Sequence, residues 1–385
     1  MRVHQRRWGS ILFTGWLFLA ALTGSRGNAM AESEPVLFVS SFAPGEKGAI
    51  TAFTFDVKTG GLKSLQRTGE IEHPFFLVLS PKGDFLYAIH APTFGGKEPE
   101  QVAAYAHSGS GKLTLLNRQS TRGTASCYLD VDATGKTLLL ANYTSGSVAA
   151  LPIATEGKLG EATSFFQHTG SSVNPDRQKE PHAHCFVIAP GNRFAYAADL
   201  GTDQILGYRL DAAKSTLSKL EPPFVRTAAG AGPRHLTFHP NGKLAYVINE
   251  LANTIQSFTF DPASGQLTAR QTISTVPGDF KGVSHTADLK FTPDGKFLYG
   301  TNRGHDSLAC YQVSPAGDLT LLEIISSHGK GPQNLLIAGG GKWLLCANMP
   351  GNNVAIFSID PQSGRLTLKD QTVEIVSPSC LRLVP

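Results

Sequence analysis

Arg234–Asn249 reads RHLTFHPNGKLAYVIN. An apolar run leads into a Pro-Asn-Gly turn at 240–242, a second apolar run follows, and a polar residue closes it. Alternating runs around such a turn are the signature of a β-hairpin. The same sixteen-residue pattern occurs five more times, as FFLVLSPKGDFLYAIH (75–90), CYLDVDATGKTLLLAN (127–142), HCFVIAPGNRFAYAAD (184–199), ADLKFTPDGKFLYGTN (287–302) and QNLLIAGGGKWLLCAN (333–348). The turn residues Gly83, Gly135, Asn192, Gly242, Gly295 and Gly341 lie 52, 57, 50, 53 and 46 residues apart. Seven residues beyond each stands a polar residue: His90, Asn142, Asp199, Asn249, Asn302 and Asn348.

A repeat of this period is one supersecondary unit that buries its faces only against its neighbours. Most copies run on into a third alternating stretch (NTIQSFTFD, 253–261), a Gly-containing turn and a fourth (QLTARQTI, 266–273). Four short strands per repeat describe the blade of a β-propeller. The 351 residues from position 35 onward hold seven such repeats, six of them complete. The seventh is expected from the two chain ends, with SPSCLRLVP (377–385) as its first strand and VLFVSS (36–41) as its second. Pairing them closes the ring and leaves no open sheet edge. The expected fold is all-β, a single-domain seven-bladed propeller of four-stranded antiparallel blades over residues 32–385.

Residues 1–31 read differently. A basic start (Arg2, Arg6, Arg7), the apolar run Ile11–Leu22 and Ala29-Met30-Ala31 ahead of Glu32 make up a secretory signal peptide. Twelve apolar residues are too few for a span, which takes about 20. The formal charge of +4 resides in this segment, since its four arginines face no acid and the remainder balances. A neutral mature chain without a basic stripe, P-loop, dinucleotide fingerprint or nucleophile elbow excludes nucleic-acid, nucleotide and serine-hydrolase roles. The expectation is an exported, periplasmic or secreted monomer with no stable membrane insertion after cleavage. The five cysteines are scattered with no C-x-x-C and read as small buried hydrophobes.

Hairpin geometry then selects a site. Residues equally far before and after the turn are cross-strand neighbours at the open end of the hairpin. Eight before the turn stand His184, Arg234 and Ala287 in three consecutive repeats, and eight after stand Leu200, Glu250 and Arg303. Other repeats place Phe75, Cys127, Ala91, Tyr143 and Met349 there. Ten before the turn come His182 and His285. His184, Arg234, Glu250 and Arg303 are the catalytic candidates; His182, His285, Asn249 and Asn302 are the substrate-binding ones. Alone, Arg234–Glu250 also reads as an ion pair tying a hairpin end, and His182 with His184 as two metal ligands lacking a third. His235, Asp288, His305 and Asp306 rank second, and strand alternation turns His235 away from Arg234.

On the stretches 180–190, 232–258 and 284–308 the chain resembles the seven-bladed propeller lactonases, which include bacterial 6-phosphogluconolactonase and the fungal carboxy-muconate cyclase. The resemblance spans essentially all of 35–385. It implies a small lactone or carboxylate substrate and chemistry without metal or cofactor. It puts the cyclase's His, Arg, Glu and Arg on His184 (or His182), Arg234, Glu250 and Arg303. In that scheme the two arginines stabilise an oxyanion, Glu250 acts as base and the histidine as acid. Lactonisation by the same groups, and a non-catalytic exported binding scaffold, are the alternatives. The export signal separates this chain from the cytoplasmic metabolite of the family's phosphogluconolactonases.

Overall fold

The computed structural model describes residues 1–2, 34–369 and 372–384. The expected signal peptide lies almost wholly outside the described residues. Among those described, no helix is long and apolar enough to cross a membrane.

Seven antiparallel sheets follow one another along the chain. Blade 1 joins Pro378–Leu383 to Val36–Ser41, Ala49–Phe55 and Leu62–Gly69. The expected closure is present: Leu37 pairs with Leu383, Val39 with Leu381 and Ser40 with Cys380, and the hydroxyls of Ser40 and Ser379 meet at 2.9 Å. Blades 2 to 6 each run inner to outer in chain order, with inner strands Leu77–Leu79, Ser126–Val131, Ala183–Ile188, Pro233–Phe238 and His285–Phe291. Blade 7 starts at Pro332–Ala338, and its outer position is shared by Leu366–Leu368 and Val373–Glu374, both paired to Asn353–Ile359. Each inner strand packs against the inner strand of the next blade, which closes the ring.

The repeated letters have physical reasons. All six turn residues hold positive φ, from 57° at Asn192 to 95° at Gly341, the region only Gly and Asn enter cheaply. The second strands are almost wholly buried, as in Leu244–Asn249, because both faces meet neighbouring blades. Each large apolar side chain so buried contributes about 1.5–3 kcal/mol. The tyrosine four residues past the turn locks one blade to the next. Tyr87, Tyr246 and Tyr299 donate their hydroxyls to the carbonyls of Gly157, Gly317 and Gly364 at 3.2, 2.5 and 2.8 Å, and Tyr196 does the same to Gly265. Those glycines cannot be replaced freely: a Cβ on Gly364 would lie 2.2 Å from the Phe297 ring.

In three repeats the Asn that ends the second strand is a tie as well. Asn142, Asn302 and Asn348 donate through Nδ2 to the carbonyls of Thr121, Thr275 and Ser327, each just after the outer strand of the preceding blade. All five cysteines are buried and unpaired.

Candidate active site

Five inner strands that lead into a repeat turn break plain alternation at one shared place, and the inner strand of blade 1 does the same at Ser379. The pairing register skips Cys127, His184, Arg234, Ala287 with Asp288, and Gln333. Each is a β-bulge, in which an extra residue is left unpaired and its side chain re-aimed. These are the positions eight before the turn, so three neighbouring blades put a bulge where the sequence puts its candidate residues. Alternation would turn His235 away from Arg234. The bulge instead brings them together, with Arg234 Nη1 3.2 Å from His235 Nε2.

Glu250 is the centre of the cluster. Its N–H donates to the carbonyl of Gly232, just ahead of the inner strand, at 2.7 Å. Its carboxylate accepts from three arginines. Arg234 Nε reaches Oε2 at 3.0 Å, Arg303 Nη2 reaches the same oxygen at 2.7 Å, and Arg177 Nη2 reaches Oε1 at 2.7 Å. Arg234 and Glu250 are buried, whereas the side chains of Arg303 and Arg177 keep 26% and 33% exposure and form the solvent-facing rim. Three guanidiniums on one carboxylate leave two positive charges in excess. Burial pushes the Glu250 carboxyl up, but the charges of Arg303 and Arg234 more than reverse this and hold it well below the usual carboxylate range. Burial and the neighbouring Arg303 bring the Arg234 guanidinium down to about 10, still protonated at neutral pH.

Arg177 escapes the sequence reading because it lies outside every repeat, in the connection between blades 3 and 4. Asn174 accepts the Arg177 N–H through its Oδ1 at 3.1 Å, and the buried Gln178 donates to the Leu200 carbonyl at 2.8 Å. That short turn delivers the guanidinium to Glu250 and to the hydroxyl of Tyr143, 3.0 Å away. Tyr143 occupies the position eight after the turn of its own repeat, so its placement was legible although its partner was not.

The two histidines separate by exposure. His184 is buried, with its ring 5.3 Å from that of Tyr143 and 5.5 Å from that of His235. Burial, then the charge of Arg234, hold it well below the ordinary histidine range, so it is neutral. His182 is partly exposed and stacks on Tyr143 at 4.4 Å and 11°. Its Nδ1 lies 3.0 Å from the Tyr143 carbonyl. A carbonyl only accepts, so Nδ1 carries a proton, and in the neutral ring the lone pair lies on Nε2.

His285 pairs in register with Arg303, and its carbonyl accepts Arg303 Nε at 3.3 Å, while its buried Nδ1 has no partner among the described residues. Asn302 spends Nδ2 on Thr275 and Ser307, and Asn249 spends its own on Thr254. His305 and Asp306 serve local loop contacts, to Ser307 and to the amides of Gly304 and Gly331. Among the described residues no three His, Cys, Asp or Glu side chains converge as a metal site. A cavity of about 740 Å³ opens toward the turn ends of the inner strands, lined by Asp130, Ile188, Phe238, Lys290 and Arg382 among others; it includes neither Glu250 nor the three arginines.

Comparison with known proteins gives a consistent result. The family model described as Lactonase, 7-bladed beta-propeller matches residues 36–383. A 6-phosphogluconolactonase of Bacillus subtilis is 33% identical over 350 residues, which is 90% of this chain and 97% of that protein. A 6-phosphogluconolactonase of Formosa agariphila is 31% identical over 356 residues, 90% of this chain and 99% of its own. The solved structure of a periplasmic gluconolactonase from Pseudomonas aeruginosa matches with a TM-score of 0.85 at 32% identity, covering 91% of this chain and 99% of that one.

Proposed function

The chain belongs to the seven-bladed β-propeller lactonase family, and on that premise we propose that it hydrolyses a sugar lactone of the gluconolactone type at the mouth of the propeller channel, where the three arginines meet Glu250. The observation that carries this reading is the excess of two positive charges around Glu250, with Arg177 and Arg303 at the rim. Nη1 and Nε of Arg177 have no hydrogen-bond partner among the described residues. Free guanidinium donors beside a partly exposed histidine suit a substrate that develops an oxyanion on opening and leaves as a carboxylate. The names of the Bacillus, Formosa and Pseudomonas relatives support the same substrate class.

The roles follow from the hydrogen bonds. Glu250 has both oxygens engaged and stays ionised, so it serves as the anchor that fixes three guanidiniums rather than as the base. His182 Nε2 takes a proton from water as the oxygen attacks the lactone carbonyl carbon. Arg303 and Arg177 stabilise the tetrahedral oxyanion. Collapse breaks the bond to the ring oxygen, which recovers the proton from His182, and the acid product then ionises in solvent. His184, buried and neutral, packs beneath this layer against Tyr143. The basic start, apolar run and Ala-Met-Ala of residues 1–31 support export to the periplasm, as does the name of the Pseudomonas relative.

A proton-release assay tests the proposal, run with D-glucono-δ-lactone and its 6-phosphorylated form, with and without chelator. Saturable opening that survives chelation and falls at least about 100-fold in Glu250→Gln is expected. Silence on every lactone from well-folded protein would sink the proposal and turn attention to lactone closure or to a binding scaffold.

A further inference from the structure

We propose that His235 and Asp288 form a positioning pair for Arg234, holding its guanidinium so that one nitrogen is left for the oxyanion that develops on the substrate. This rests on the reading of the arginine cluster as the reacting site.

A guanidinium has five N–H groups. Arg234 spends Nε on Glu250 Oε2, and the two on Nη1 on the Ala287 carbonyl at 2.5 Å and on His235 Nε2 at 3.2 Å. Three partners on three sides fix the plane of the group, and Nη2 has no partner among the described residues. The contact with His235 requires a lone pair on Nε2, because Arg234 can only donate. The other ring nitrogen supplies the reason that the lone pair is there: Nδ1 lies 2.9 Å from Asp288 Oδ1, so Nδ1 carries the proton.

Asp288 is itself over-determined. Its second oxygen accepts from Asn334 Nδ2 at 2.7 Å and from the Leu335 N–H at 2.9 Å, and Lys290 Nζ sits 2.8 and 2.9 Å from its two oxygens. A chain of hydrogen bonds therefore runs from blade 7 through Asp288, His235 and Arg234 to Glu250. The bulges in blades 5 and 6 make it possible, since Arg234 and Asp288 both lie at skipped register positions.

The groups around His235 keep it neutral. Burial among the rings of His184, Tyr128 and Phe76 at 5.5, 5.0 and 6.1 Å opposes protonation most, Arg234 on its own strand and Lys290 from blade 6 oppose it too, and Asp288 favours it. An imidazolium at this place would present an N–H to Arg234 and break the contact. The pair thus acts on the reaction only through Arg234, and neither member touches substrate.

Three measurements test this. In wild-type protein, ¹⁵N-detected histidine spectra should show His235 as the Nδ1–H tautomer with no titration between about pH 5 and 8; the other tautomer, or a titrating ring, overturns the proposal. His235→Gln, whose amide accepts from Arg234 and donates to Asp288, should keep kcat within about tenfold. His235→Leu, at unchanged fold by circular dichroism, should lose about 100-fold in kcat, the effect of misplacing a catalytic group by about 1 Å. D-gluconate affinity, measured by calorimetry, should weaken in His235→Leu and persist in His235→Gln. A folded His235→Leu protein with wild-type kcat and gluconate affinity overturns the positioning role while leaving the lactonase reading intact. A wild type that opens no lactone, yet binds gluconate with this same pattern of variants, keeps the positioning role and removes the hydrolytic one. If His235→Leu fails to fold, the tautomer and the kcat of His235→Gln decide.

Discussion

Arg234 and Arg177 bind the same carboxylate but sit in different surroundings, and substitution should separate them. Arg177→Ala removes a half-exposed donor and should cost about 10²–10³ in kcat/KM with a small change in stability. Arg234→Met leaves Ala287 and His235 unpaired inside the protein and should destabilise it by about 3–5 kcal/mol as well. Melting temperatures beside steady-state rates distinguish the two cases; equal losses of stability would contradict the burial argument.

The buried histidines give a second prediction at this scale. Burial and Arg234 bring the His235 ring down to about 3, against roughly 6.5 in an unfolded chain. Between these values the unfolded state binds a proton that the folded state refuses, so stability falls as pH drops below about 6.5. His184 adds to this, while Asp130, pushed up to about 6 by burial, takes up its proton first in the folded state and offsets one histidine below pH 6. The clean measurement is the difference between proteins: urea unfolding from pH 6.5 to 5 should show a slope shallower in His235→Gln than in wild type by up to about 1.4 kcal/mol per pH unit. Parallel slopes would contradict a neutral buried His235. The sequence made Arg234, Glu250 and Arg303 legible because they sit at equivalent places in neighbouring repeats. It hid Arg177, which belongs to no repeat, and the contact of His235 with Arg234, because a bulge is invisible to period-two counting.

Among the elements, the blade is defined by what ties it to its neighbour. Tyr299 donates to Gly364 across the seam between blades 6 and 7, and Tyr299→Phe strands a buried carbonyl at a cost of about 1–3 kcal/mol. Gly364→Ala should cost at least as much, since its φ of 69° disfavours a side chain and the Phe297 ring fills the space. Denaturant titration of both variants checks the pair; a neutral Tyr299→Phe would show that the seam is held by apolar packing alone. Strands, turns and the polar residue that closes each second strand were all legible as a pattern. The ties between blades were not, because the partners of Asn142, Tyr246 and Tyr299 lie on an adjacent blade about 20 to 70 residues away.

For the molecule as a whole, closure is the feature read most directly from the sequence, since two end segments each resemble half of a hairpin. The strand Pro378–Leu383 is the inner strand of blade 1, and removing residues 377–385 would open edges on both sides of the ring. The truncated chain is expected to lose its cooperative thermal transition and to aggregate; a sharp melt within a few degrees of wild type would show that six blades and a remnant suffice. The same closed ring lets blades 5 and 6, together with one connecting loop, hold four charged groups at fixed distances.

The proposed chemistry rests on two rim arginines around an anchored carboxylate. Its most direct test is kcat/KM on D-glucono-δ-lactone for Arg303→Gln, measured by proton release alongside the melting temperature. A fall of about 10²–10³ with the protein still folded is expected; a folded Arg303→Gln variant as active as wild type would contradict the proposed chemistry.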